Sequence, residues 1–306
     1  MSSLPATFRR SVAVAALLGV CGIPSRARAQ ACCAGGSVVT PGRLAVHEDA
    51  LVGVQIKAAN VVGSYAPDGR FVPPGQSQEQ DFEEDLLGAV RFLRRGQAAL
   101  LVPLVETRRY TVQNGAHLGA GIGDVNASAR YDFVLAGESL YVPGIALLGG
   151  VTVPTGTPAE QATSPLEVDS TGIGAFQVNA ALALEQTFGP WLVNATGIVA
   201  ARTPRFGEQL GTQVTLLAAG AYTFPNDAAV ALSASYALEG DATTSDGADV
   251  PSSSKRLTVL TLSAMWPFGD AWRLLAGAFV DPPISQFGSN QPSSVGLTLT
   301  AIRAWL

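Results

Sequence analysis

Between Gly121 and Phe133 the chain reads GIGDVNASARYDF, and polar and apolar residues alternate along it. Asp124, Asn126, Ser128, Arg130 and Asp132 fall on one side, and Val125, Ala127, Ala129, Tyr131 and Phe133 on the other. Side chains of an extended chain leave on opposite faces with a period of two, so this stretch is a strand with one charged and one apolar face. The split recurs downstream. Phe176, Val178, Ala180, Leu182 and Leu184 oppose Gln177, Asn179 and Glu185, while Trp191, Val193, Ala195 and Val199 oppose Asn194, Thr196 and Arg202.

Followed along the chain, the pattern predicts twelve strands, over residues 51–65, 85–94, 98–110, 122–135, 140–154, 172–187, 191–202, 211–224, 228–239, 256–266, 272–280 and 294–305. Each is near or above the roughly nine to eleven residues that a tilted membrane strand needs. The stretch 139–159 carries no charge and invites a helical reading, but Pro143 and Pro154 would each cost a helix interior about 3 kcal/mol. The connections alternate. Short links fall at 95–97, 136–138, 188–190, 225–227 and 267–270, and between them lie long polar segments such as PDGRFVPPGQSQEQ, TGTPAEQATSPLEVDS, GDATTSDGADVPSSS and DPPISQFGSNQPSS. Short turns at one end and long loops at the other are the plan of an outer-membrane barrel.

Aromatic residues cluster beside the short links. The interface set is Tyr131, Phe133, Trp191, Phe224, Trp266, Trp272 and Trp305, joined by Phe92, Tyr141, Phe188, Tyr222 and Phe268. Amphipathic rings collect at a membrane–water boundary, which makes this end a periplasmic girdle.

Composition sharpens the choice between a soluble sandwich, which would bury the apolar faces, and a barrel, which turns them to lipid. Hydrophobic residues make up 47% of the chain and charged residues only 14%, against about 25% for an average soluble domain. The expectation is an all-β fold: an antiparallel transmembrane β-barrel of about twelve strands, with short periplasmic turns and long extracellular loops around Pro73, Ala162 and Asp246.

The N-terminus reads as an export signal, with Arg9-Arg10, an apolar run from Val12 to Cys21 and Ala27-Arg28-Ala29 as the cleavage site. The expected organisation is a signal peptide over 1–29, a periplasmic segment over 30–50 and a barrel over 51–306. Loss of four arginines with the signal takes the formal charge from −5 to −9, which leaves no basic face for nucleic acid. Cys32 and Cys33 remain as neighbours. They could form a vicinal disulfide, bridge to another chain or carry a lipid, and the sequence leaves these alternatives open.

Candidate lumen residues follow from the alternation: Asp124, Asn126, Arg130, Asp132, Gln177, Asn179, Glu185, Asn194 and Arg202, with Arg91, Glu239 and Arg273 nearby. Charges of both signs there serve either a structural ladder or a polar path. No catalytic residue, metal ligand or cofactor is expected. His47 and His117 lack metal-ligand spacing, His47 reading as a solvated residue and His117 as part of a loop after Tyr110. Gly119, Gly121 and Gly123 suit close packing or a bend better than a dinucleotide loop, since no helix follows.

Gly121-x-Gly123-Asp124 followed by Arg130-Tyr131, Val153-Pro154-Thr155-Gly156 at the end of the next strand, and Thr171-Gly172-x-Gly174 give the middle third a family likeness. In these motifs the chain resembles a family of outer-membrane proteins associated with the meta-pathway of phenol degradation, a group of small-molecule transporters. The ending departs from a terminal aromatic, because Leu306 follows Trp305. The resemblance implies a barrel with a passage for small molecules and carries over no catalytic residue.

The expected function is therefore a passive channel or uptake protein for small molecules, hydrophobic or aromatic ones included, in the outer membrane of a Gram-negative cell. Its expected partners are outer-membrane lipid, the barrel-assembly machinery and the solute. The alternatives are a barrel hydrolase, which needs His117 or His47 beside a nucleophile, and a structural or adhesive barrel, which needs only its loops.

Overall fold

The computed structural model describes residues 40, 42–269 and 271–306. The signal segment, Cys32 and Cys33 lie outside them. Twelve long strands form a closed antiparallel barrel. They are β1 (Ala50–Tyr65), β2 (Gln78–Phe92), β3 (Gly96–Thr111), β4 (Gly115–Ile122 and Val125–Val134), β5 (Gly144–Val153), β6 (Gln177–Phe188), β7 (Trp191–Arg202), β8 (Gln213–Thr223), β9 (Ala229–Glu239), β10 (Lys255–Phe268), β11 (Trp272–Val280) and β12 (Gln291–Trp305). Each pairs with its sequence neighbour. Closure comes from β1 and β12, which pair from Ala50↔Trp305 to Tyr65↔Gln291, so no edge runs the length of the sheet. The barrel begins and ends at the same rim.

The faces follow the expected alternation. Val52, Val54, Ile56, Leu182, Leu216, Leu232, Leu262, Leu297 and Leu299 are exposed on the convex face, while their strand neighbours turn inward. The interior is layered. At the turn end an apolar cluster unites Leu51, Leu87, Leu192, Met265, Leu275 and Ile302 with several alanines. Charged and amide side chains fill the levels above it.

The four largest boundary differences from the sequence reading are these. β2 starts at Gln78 instead of 85, since a strand rising past the apolar band can be polar on both faces and then looks like a loop. β5 starts at Gly144 and β6 at Gln177, so the link between β4 and β5 is longer than 136–138 and Leu140 and Tyr141 stand exposed in it. His117 is the fourth difference: it belongs to β4, not to a loop, because the inward glycines at 119 and 121 hide the alternation of Ala116, Leu118, Ala120 and Ile122.

β4 is broken at Gly123-Asp124. Below the break it pairs with both β3 and β5; above it, only with β3. The long segment from Pro154 to Phe176 packs against that upper half. A Cβ on Gly119 would collide with the Val168 carbonyl, and one on Gly123 would stand 2.9 Å from the Pro103 ring and 3.2 Å from the Thr171 carbonyl. The glycines supply close approach, as their spacing suggested.

Candidate functional site

The barrel interior is the site, and the β-alternation sets its side chains. Glu185 on β6 is its most heavily bonded carboxylate, at 3% exposure. Arg130 reaches it from β4 at 3.1 Å while also holding Asp132 at 2.8 Å. Asn194 on β7 donates to Glu185 at 3.0 Å and accepts from Thr196 at 3.1 Å. A second guanidinium, Arg43, meets Glu185 at 2.6 Å.

Higher in the barrel Arg202 binds Gln177 at 2.8 Å, Gln213 at 2.5 Å and Glu239 at 2.6 Å, with Lys255 3.6 Å from the same carboxylate. Asn126 donates to Thr152 at 2.9 Å, and Asn179 lies opposite Gly150 and Ala200. Asp124 stands apart from the wall rows. Placed in the break of β4, its carboxylate accepts from the Gly156 amide at 2.9 Å and the Ile173 amide at 2.6 Å, so it pins both ends of the infolded segment.

That segment is tied down elsewhere too. Arg109 of β3 donates to the Leu166 carbonyl at 2.8 Å and pairs with Glu79 at 2.9 Å. Asp169 collects the Thr163 amide at 2.9 Å and the Ser164 amide at 3.1 Å, bonds that hold its carboxyl below the ordinary carboxylate range.

The opposite wall holds a group that the sequence reading missed. Lys57, Asp81, Glu83, Phe279 and Asp281 line an interior cavity of about 470 Å³. Lys57 binds Glu83 at 3.0 Å and lies 5.7 Å from the centre of the Phe279 ring. Asp85, one step nearer the turns, takes a bond from Gln55 at 3.1 Å with one oxygen and leaves the other buried without a partner. Asp85 opened the strand expected from the sequence, but Asp81 and Glu83 fell outside it, because Glu84 puts a charge on the face that Phe82 and Leu86 share and so blurs the alternation.

The N-terminal segment was missed as well. Residues 42–49 enter the turn end of the barrel, where Leu44 joins the apolar cluster and the buried Glu48 pairs with Arg273 at 3.1 Å. Arg91 of β2 donates to the Glu48 carbonyl at 2.7 Å. His47 is exposed, and His117 rests on the Asn114 carbonyl at 2.9 Å, a turn contact instead of a base–nucleophile pair. Among the described residues no cluster suits a metal ion.

All seven interface aromatics project outward near the turn end. Trp191 and Tyr222 meet edge to face across β7 and β8 with ring centres 4.9 Å apart, and Arg303 stacks over Trp305 at 5.1 Å. Rings and a stacked guanidinium on one rim suit an interfacial depth.

Neither a protein-family model nor a curated protein matches the sequence. Among solved structures, the chain is similar to an outer membrane channel from Pseudomonas putida F1, at 15% identity and a TM-score of 0.69, over 84% of this chain and 96% of that one. Weaker likenesses include the translocator domain of the autotransporter NalP from Neisseria meningitidis, at 12% identity and a TM-score of 0.47 over 97% of this chain and 94% of that one. The NanC porin matches at 8% identity and a TM-score of 0.47, over 83% and 100%. At such identities the first likeness establishes the barrel fold, and the other two add nothing to it.

Proposed function

We propose that this chain is a passive channel of the outer membrane that admits small molecules, hydrophobic and aromatic compounds among them. The observation that carries the reading is the interior cavity of about 470 Å³, lined by charged, hydroxyl and aromatic side chains together with the apolar Ala59, Val105, Leu257 and Val259, inside a wall whose outer face is apolar. An apolar outside and a polar, partly open inside are the requirements of a barrel that lets solutes through lipid. A small barrel is filled by its own side chains and a sixteen-stranded one leaves a wide aqueous channel, so twelve strands suit a narrow, selective passage. The short turns and aromatic girdle then lie at the periplasmic rim and the long loops outside the cell.

The same reading includes cleavage after Ala29, insertion by the barrel-assembly machinery and membership of the phenol meta-pathway group, supported by the glycine and proline motifs of the middle third. The channel itself is tested by placing the purified mature protein in planar bilayers and in liposomes. Discrete conductance steps and swelling driven by small aromatic solutes are expected. Turnover of lipid without conductance would move the assignment to a hydrolase, and inertness in both assays would leave a scaffold.

A further inference from the structure

Glu84 on β2 and Glu106 and Arg108 on β3 are exposed on the convex face of the barrel. Strand pairing sets each beside an apolar neighbour: Glu84 between Ile56 and Leu104, Glu106 between Phe82 and Ala120, and Arg108 between Gln80 and Leu118. They mark the level at which the lipid-facing rows of β2 and β3 turn polar toward the loops. At the top of this patch Gln78, Gln80, Arg108, Tyr110 and Ala116 line a groove of about 340 Å³ on the outside of the wall.

Among the described residues none of the three charges has a hydrogen bond or an ion pair, whereas Glu185 and Arg202 of the lumen are held in networks. A charge on a lipid face is costly until something in the membrane meets it. The groove narrows what that partner is. Its polar lining is a guanidinium, two carboxamides and a phenol, all able to donate, and no carboxylate is among them. Donors gathered around one fixed positive charge fit the several acceptor oxygens of a phosphate. Below the groove the wall continues through Leu118, Leu104, Ile122 and Ile56, all exposed. A ligand that satisfies both parts is an amphiphile, with a phosphorylated head and acyl chains.

With the loops outside the cell, as in the channel reading on which this rests, the groove lies in the outer leaflet of the membrane. We infer that it binds the phosphorylated sugar head of an outer-leaflet glycolipid. Arg108 holds a phosphate, Gln78, Gln80 and Tyr110 complete its shell, and the acyl chains lie on the apolar rows beneath. Glu84 and Glu106 are met by the divalent cations that such phosphates carry, since hard cations bridge carboxylate and phosphate oxygens. One wall of the barrel is thereby anchored at a fixed depth.

The test uses the mature protein carrying Cys32→Ser and Cys33→Ser, refolded into detergent without membrane lipid. The probe is bisphosphorylated lipid A with magnesium, and native mass spectrometry reads what stays bound. A single lipid A per chain is expected. Arg108→Gln should weaken its retention several-fold, and Arg108→Lys, which keeps the charge and loses the fork, should fall between the two. Gln78→Leu with Gln80→Leu, which leaves Arg108 in place, should weaken it as well. Arg303→Gln, at an exposed arginine of the turn end, is the control and should change nothing. Equal retention by the parent and Arg108→Gln overturns the site. So does phosphatidylglycerol or inorganic phosphate held as tightly as lipid A, which would mean an unspecific anionic surface or a free-ion site. A protein dimer in place of the lipid adduct overturns the lipid assignment and makes this face an interface between copies. Loss at Arg303→Gln alone would put the short turns in the outer leaflet and overturn the orientation together with the site. Because the groove lies outside the barrel, Arg108→Gln and the parent should conduct alike in planar bilayers. Lipid A retained without conductance in either overturns the channel reading and leaves the site standing.

Discussion

Arg202 on β7 reaches across β8 to Glu239 on β9, and the guanidinium and carboxylate meet at 2.6 Å with side-chain exposures of 5% and 10%. The same guanidinium takes Gln177 on β6 and Gln213 on β8, so one side chain staples four strands from inside. The concave face makes this possible, because it brings the ends of non-adjacent strands together.

The staple predicts an asymmetry between its two partners. Arg202→Leu leaves Glu239 with only Lys255 at 3.6 Å, and should cost about 3–5 kcal/mol, the range for breaking a buried pair. Glu239→Gln leaves Arg202 with both glutamines and should cost less. Urea titration of folding into lipid vesicles measures both, and equal losses would mean that the amides contribute nothing to holding the guanidinium.

The outer face predicts a gradient with depth. Val178 and Leu182 are about equally exposed on β6, at 51% and 49%, but Leu182 sits midway between Gln177 and Phe188 and Val178 lies next to the loop end. Leu182→Arg should cost about 2–4 kcal/mol and Val178→Arg about 0–1 kcal/mol. The same folding titration decides it. Equal penalties would mean that the apolar band is misplaced.

Twelve strands and their two faces were legible in the sequence because period two is a local signal, repeated in every strand that crosses the apolar band. Where the signal failed, something non-local had taken over. Asp124 carries the alternation of β4 in sequence, yet the break at Gly123 removes it from the wall and gives its carboxylate to two loop amides. Val46-His47-Glu48-Asp49 looks solvated because its partners, Arg91 and Arg273, are distant in the chain. No spacing rule could have joined them. The carboxylate wall was lost for a different reason: apart from Phe82, Gln78–Glu84 is polar on both faces, and a strand beyond the lipid band needs no apolar row.

That carboxylate wall predicts charge selection. Asp81, Glu83 and Asp281 line the cavity with Lys57 as the cation among them, so cations should be concentrated there over anions. A cleft of one sign can raise local counter-ion concentration by roughly tenfold or more at low ionic strength. Asp81→Asn with Glu83→Gln should reduce the cation-to-anion permeability ratio, read from reversal potentials across a salt gradient. A ratio near one in the parent protein would refute the charge argument.

Two loop carboxylates predict opposite responses to acid. Asp169 is held below its ordinary value of 3.8, chiefly by the Thr163 amide, so its contribution is present above that value and lost as the pH falls through the lowered one. Asp281 is raised above 3.8, chiefly by burial and in spite of its bonds from Ser294, so its contribution is present below 3.8 and lost as the pH rises through the raised value. Asp169→Asn should remove the acid-induced loosening of the segment around it, and Asp281→Asn should remove a loss that sets in on the way to neutrality. Hydrogen exchange of the two loops across this range gives the answer. Like-signed responses would contradict the bonding assigned to one of the two.

The infolded segment between β5 and β6 yields the sharpest steric prediction. Val168 is buried over Gly119, where a Cβ would collide with its carbonyl, and the turn beside it is pinned by Arg109, through bonds to the Leu166 and Glu167 carbonyls. Leu166 and Glu167 both adopt positive φ, 59° and 52°, so the turn has little freedom to shift and remain as it is. Gly119→Val adds a side chain that favours a strand, so β4 itself should tolerate it while the segment above is pushed toward the exterior. Conductance should rise and a protease added to intact cells should reach the segment, with Arg109→Gln acting in the same direction by releasing the two carbonyls. Ala120→Val, one residue along on the outer face, is the control and should change neither. If Gly119→Val leaves conductance and protection unchanged while the barrel folds, the segment does not narrow the passage, and the limit on solute size must lie with the charged layers below it.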